Sequence, residues 1–194
     1  QRSISGHGDF DIKSVRGELE RAVSTIDYES CEVEIAFFGG SFTGIDRGDM
    51  VYLLSLAKEY IDAGKAQSVR LSTRPDYIDR EILDILKVYK VTDIELGLQS
   101  MDDNVLRLSK RGHTAACARN ACRLIKEYGF NLIGQMMIGL PGSDARNEVM
   151  TAREIAKLCD GARIYPTVVF EDTELCAMTR SGEYKPLTTD EAVE

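Results

Sequence analysis

Apolar and polar positions alternate between two periods along this chain. Short apolar runs of strand type fall at residues 33–38, 69–72, 93–98, 131–138 and 162–165. Each ends in glycine, proline or small polar residues, such as Gly39-Gly40 or Gly139-Leu140-Pro141-Gly142. Between the runs, apolar residues recur at helical spacing over 50–61, 79–89, 113–128 and 147–159. In the second of these the stripe is Ile82, Leu83, Ile85 and Leu86. A helix over 11–26 precedes the first strand, and another begins near Thr189. Strict alternation of strand and helix predicts an α/β fold with a parallel sheet and crossover helices. The five predicted strands are too few for a closed eight-stranded barrel of about 250 residues. A partial barrel of six strand–helix units, its first strand absent from this chain, accounts for the pattern. An open doubly wound sheet is the alternative.

The chain has 194 residues and 21.6 kDa, the size of one domain. With 43% hydrophobic and 29% charged residues, disordered and fibrous classes are excluded. No apolar run approaches the roughly 18 residues a membrane span needs, and no leader pattern opens the chain. A cytoplasmic location is expected. The net charge of −8 makes this stretch no phosphate-backbone grip by itself. Cys31, Cys117, Cys122, Cys159 and Cys176 are odd in number, irregularly spaced and without a C-x-x-C pair. Free, mostly buried thiols are expected rather than a disulfide framework or a metal site. The chain opens on Gln1 and stops at Glu194 inside a starting helix. It is therefore expected to be one domain, residues 1–194, incomplete at both ends.

In either fold, ligands bind at the C-terminal ends of the strands. Those ends are rich in glycine, serine, threonine and proline, which lets backbone approach a ligand closely. Gly39-Gly40-Ser41-Phe42-Thr43-Gly44 lacks the lysine and the spacing of a phosphate loop. It is either a tight turn or a cradle for the amine or carboxylate of a small ligand. Gln99 ends an apolar strand; it is a turn residue, or an amide that donates and accepts to a ligand. Arg111 is a surface arginine or a carboxylate clamp. His113 lies near a helix start and is a structural or catalytic histidine. No paired acid–base or Ser-His-Asp constellation stands out.

Five segments come in order at the strand ends: residues 37–44 (FFGGSFTG), 72–77 (STRPDY), 95–101 (ELGLQSM), 109–114 (SKRGHT) and 135–142 (QMMIGLPG). Together they closely resemble radical S-adenosylmethionine (radical SAM) enzymes. The nearest branch is similar to the catalytic subunit of Elongator, with the oxygen-independent coproporphyrinogen III oxidases as more distant relatives. The resemblance implies a partial (β/α)6 barrel. It implies S-adenosylmethionine and a [4Fe–4S] cluster as cofactors, reductive cleavage to a 5′-deoxyadenosyl radical, and hydrogen abstraction from substrate. Gly39, Gly40 and Ser41 match the family loop that contacts the methionyl amine. Ser72 stands where relatives often carry Glu against the cofactor. Gln99 and Arg111 match positions that contact the ribose and the carboxylate. Gln135, often Asp in relatives, matches a binder of ribose hydroxyls, and 138–140, beginning at Ile138, would lie along the adenine. tRNA is the implied candidate substrate, and a flavodoxin or ferredoxin the implied electron donor.

The family's C-x-x-x-C-x-x-C is absent from this chain. Gln1-Arg2-Ser3-Ile4-Ser5-Gly6 resembles what directly follows the third cysteine in this branch. The cluster loop and first strand are therefore expected upstream of Gln1. None of the five cysteines is assigned as a cluster ligand, and this polypeptide alone is expected to make no radical. The alternatives are a barrel that binds S-adenosylmethionine without a cluster, and an unrelated α/β enzyme with a phosphorylated ligand.

Overall fold

The computed structural model describes residues 12–28 and 30–193. The opening six residues and Asp11, part of the expected first helix, lie outside them. Five parallel strands form one sheet: β1 (Glu34–Phe37), β2 (Ser68–Thr73), β3 (Asp93–Gln99), β4 (Asn131–Ile138) and β5 (Gly161–Pro166). All five expected runs are strands. Their spatial order is their chain order, and this decides between the two architectures. A doubly wound sheet reverses at a switch point. Here each strand joins its chain neighbour, so right-handed crossovers all fall on one face, as in a barrel. The sheet is a partial barrel, open between β1 and β5 among the described residues.

The helices are α1 (Val15–Val23), α2 (Arg47–Asp62), α3 (Arg80–Val88), α4 (Asp103–Leu108), α5 (Ala115–Glu127), α6 (Ala145–Leu158), α7 (Glu174–Ser181) and α8 (Thr189–Val193). Most begin on a side chain that accepts from the first turn: Asp46, Asp79, Asp102, Thr114, Asp144 and Thr173. Each such cap is worth about 1 kcal/mol. Caps explain where the structure departs from the spacing. Asp46 starts α2 three residues before Met50, and Asp144 with Asn147 forms a capping box that starts α6 at Ala145. Thr114 starts α5 at Ala115, which leaves His113 outside the helix. The short helices α4 and α7 were not expected.

Helices and strands meet in one core. Val69, Leu71, Ile94, Leu96, Leu98 and Leu132 come from the strands; Leu54, Leu83, Leu86, Ile125 and Ile155 come from the helices. Because successive strand residues point to opposite faces, the inner face carries a different set: Glu34, Arg70, Asp93, Glu95, Gln135 and Arg163. That face is charged and internally paired. Arg70 bonds Glu34 (2.7 Å) and approaches Asp93 (3.7 Å). The expectation of mostly buried thiols fails. All five cysteines are free, but only Cys122 is buried and Cys31 is exposed. Cys122 shares a hydrogen bond with Cys159; that bond, then burial, pushes the Cys122 thiol up.

Candidate cofactor site

The site is built around Gly97 on β3. A Cβ at Gly97 would lie 2.9 Å from Gln99 Nε2, 3.4 Å from the Thr73 carbonyl and 3.6 Å from an Arg111 terminal nitrogen. Glycine is thus what lets Gln99 and Arg111, twelve residues apart in sequence, converge on one point. The β3–β4 register shifts between Gly97 and Gln99, and Gln99 takes φ +66°. The bulge folds the end of β3 back, with Ser100 N–H bonding the Leu98 carbonyl at 2.8 Å.

Arg111 sits on the loop from α4 to α5. Arg74 donates to its carbonyl (2.6 Å) and two bonds to Asp76 (2.9 and 2.8 Å). Asp103 accepts from Ala115 N–H (2.7 Å) and fastens the far end of the loop. Among the described residues, three buried side-chain atoms lack a hydrogen-bond partner: Ser109 Oγ, Arg111 Nε and His113 Nδ1. All three fall on this loop. Burial, then the positive charge of Arg74, pulls the Arg111 guanidinium below its usual range. A guanidinium stays charged in proteins, so Arg111 is a half-buried cation with an unused donor. His113 Nε2 lies 3.3 Å from the Leu98 carbonyl. A carbonyl only accepts, so that nitrogen carries the proton and the orphaned Nδ1 is the bare one.

Ser72 is half-buried on the inner face, and Glu95 is its register partner. Gln135 pairs with Gly97 across the strands and donates to Glu95 (2.6 Å). Ser72, Gln99, Arg111 and Gln135 therefore gather around Gly97 and Glu95. Gly39, Gly40 and Ser41 lie at the end of edge strand β1. Gly39 has φ +101°, which only glycine adopts freely. Ser41 leads the 3-10 turn Phe42–Gly44, its carbonyl accepting from Gly44 N–H at 2.9 Å. Thr43 Oγ1 in that turn donates to the Tyr77 carbonyl (2.8 Å) and accepts from Thr73 Oγ1 (2.6 Å). This ties the glycine loop to the strand beside Gly97. Ile138 stands apart: it packs against the core, and Thr167 occupies its carbonyl.

Sequence reasoning gave no role to Glu95, Gly97, Thr43 or Thr73. A carboxylate in the middle of an apolar strand was the available signal for Glu95. Among the described residues, no group of three or more His, Cys, Asp or Glu could hold a metal, so they offer no ligands for an iron–sulfur cluster. They do fit S-adenosylmethionine: the half-buried Arg111 guanidinium, whose Nε has no hydrogen-bond partner, suits its carboxylate. No described helix is long and apolar enough to cross a membrane.

Known proteins share this fold. The Radical SAM superfamily model matches residues 7–155, and the Radical SAM C-terminal domain model matches 159–194. The tRNA uridine(34) acetyltransferase of Methanocaldococcus jannaschii is 39% identical over 129 residues, 64% of this chain and 24% of the relative. Human Elongator complex protein 3 is 32% identical over 134 residues, 67% of this chain and 24% of the relative. The chain thus spans about a quarter of these relatives. Among solved structures, the archaeal Elp3 of Methanocaldococcus infernus superposes with a TM-score of 0.77 at 27% identity, covering 94% of this chain and 47% of that one. Coproporphyrinogen III oxidase of Escherichia coli gives 0.68 at 16% identity, covering 94% and 42%, a likeness of fold. A family model across most of its length, together with a sequential parallel sheet shared with solved members, places the chain in the radical SAM superfamily of enzymes.

Proposed function

We propose that this chain is the S-adenosylmethionine-binding core of a radical SAM enzyme of the Elongator-like branch, with tRNA as the substrate class. The observation that carries the reading is the half-buried Arg111 guanidinium, with its buried Nε unpartnered and a terminal nitrogen beside Gly97. Arg111 pairs with the methionyl carboxylate. Gly39, Gly40 and Ser41 offer backbone groups to the methionyl amine. Ser72 and Gln99 contact the cofactor from the inner face, Gln135 takes the ribose hydroxyls, and the backbone from Ile138 onward flanks the adenine. Within the family, a reduced [4Fe–4S] cluster supplies the electron that cleaves S-adenosylmethionine to a 5′-deoxyadenosyl radical. The described residues supply no ligands for it, and their part is to bind and orient. In this reading the cofactor lies on the inner face of the sheet, against Glu95 and Gly97. tRNA comes from what the relatives are named for. The electron donor of such an enzyme is a flavodoxin or ferredoxin, and its location the cytoplasm.

Titration calorimetry tests the pocket. The unaltered chain is expected to bind S-adenosylmethionine. Arg111→Met should weaken it about tenfold or more, as loss of a charge-assisted hydrogen bond does. The same variant should leave 5′-deoxyadenosine, which has no carboxylate, unchanged. No binding of S-adenosylmethionine, or equal weakening of both ligands, would sink the assignment.

A further inference from the structure

Cys122 and Cys159 meet where α5 packs beside α6. Cys122 is fully buried on α5, and Cys159 is half-buried at the C-terminal cap of α6. Their thiols share a hydrogen bond. The surroundings hold this contact in place. Gly134 on β4 leaves the Cys159 sulfur its seat, since a Cβ there would stand 2.9 Å from it. Arg119, ahead of Cys122 on α5, pairs with Glu154 on α6 (2.9 and 2.8 Å). Lys126, one turn after Cys122, pairs with Asp160 (2.6 Å), the residue after Cys159. Asp160 is itself fixed to the start of β4. Its N–H bonds the Leu132 carbonyl and its carboxylate accepts from Leu132 N–H, each at 2.8 Å. Ion pairs thus bracket the two sulfurs, one before and one after. The thiols are also unequal. Cys122 donates the shared bond, so its thiol is pushed up, while that bond holds the Cys159 thiol below its ordinary range, against burial and the Asp160 charge and with help from Lys126.

We propose that Cys122 and Cys159 are a modification site, which a peroxide oxidises to a reversible disulfide that staples α5 to the segment entering β5. Cys159 is the more exposed sulfur and the first to lose its proton, and the thiolate is the reactive form. It attacks one peroxide oxygen. The O–O bond breaks, the other oxygen leaves as hydroxide, and Cys159 becomes a sulfenic acid. Cys122 then gives up its proton and attacks the Cys159 sulfur. An S–S bond forms, the S–O bond breaks, and the oxygen leaves as water. The two sulfurs together lose a pair of electrons, and the peroxide gains that pair and ends as water. The site lies at the N-terminal ends of β4 and β5, away from the cofactor rim, and does not rest on the cofactor reading.

The test adds hydrogen peroxide to the reduced full chain, alkylates the remaining thiols and identifies tryptic peptides by mass spectrometry. Trypsin releases Cys122 within residues 120–123 and Cys159 within 158–163. These two peptides should appear joined, short of two hydrogens, and dithiothreitol should part them again. Because the fold holds the sulfurs together, joining should be about tenfold faster or more in the native chain than in the chain unfolded in urea. Cys159→Ser should leave Cys122 reduced, since the buried thiol then has no oxidised neighbour to attack. Should circular dichroism show that variant unfolded, the comparison of native and urea-unfolded chain decides alone. Cys159 ending as a sulfinic acid with no joined peptide overturns the proposal. So does joining no faster than in urea, or oxidation of Cys122 in the folded Cys159→Ser variant.

Discussion

Gln99 holds a left-handed backbone, which costs a residue with a Cβ about 1–2 kcal/mol. The surrounding bonds maintain it, and it turns the amide of Gln99 toward Gly97. That close approach makes Gly97→Ala informative. Alanine suits a strand better than glycine, but its methyl would stand 2.9 Å from Gln99 Nε2. We expect S-adenosylmethionine affinity to fall about tenfold by calorimetry, while the urea midpoint moves little. His113 makes a pH prediction. Burial lowers its affinity for a proton, and the nearby Arg111 and Arg74 charges lower it further, against the Leu98 bond and Asp76. Its folded value lies below the unfolded 6.5, so its contribution is complete above that pH and is lost as pH falls through the folded value. Urea unfolding should show a larger stability loss from pH 7.5 to 5.5 than in His113→Gln; parallel curves would remove His113 as the cause. Gln99 and Arg111 were legible in sequence because a polar residue ends an apolar run and an arginine precedes a helix. Glu95 was only half legible: a carboxylate inside an apolar strand is a local signal, but its partners Arg70 and Arg163 reach it from other strands.

At the scale of elements, the strands were legible because a buried parallel strand is a bounded apolar run. The short helices α4 and α7 were not. Six residues of α4 show no full helical repeat, and what starts it is Asp102, which accepts from Asn104 and Val105 N–H. Its two buried residues, Val105 and Leu106, are too few to signal a stripe. Helix–strand contact also hinges on positions without a pattern. Gly134 lets α6 seat on β4: a Cβ there would stand 2.8 Å from Ile155 Cγ2, 2.9 Å from Cys159 Sγ and 3.2 Å from Leu98 Cδ1. Three packed neighbours cannot all yield, so Gly134→Ala should cost about 1–3 kcal/mol of unfolding free energy. Denaturant titration reads this directly, and an unchanged midpoint would show that α6 shifts freely.

For the whole molecule, the open sheet has a cost. Among the described residues both β1 and β5 end the sheet, and an unpaired edge is a template for another chain. At the second edge Ile164 and Tyr165 are 57% and 40% exposed. The chain should self-associate with rising concentration in light scattering, and Ile164→Lys should reduce the effect. A monomer at every concentration would show the edges are already protected. The agreement between spatial and chain order has a different consequence, for biosynthesis. Domains fold from the N-terminus while the ribosome is still adding residues. In this sheet each described strand after β1 finds its one earlier partner already made, lying at the growing edge. Among the described strands β2 to β5, none must wait for a later one before it can dock, and none has to be inserted between two that are already paired. The nascent chain can therefore assemble as it is made, one β-α unit at a time, and the site around Gly97 is completed only when β4 and β5 bring Gln135 and Arg163 to Glu95.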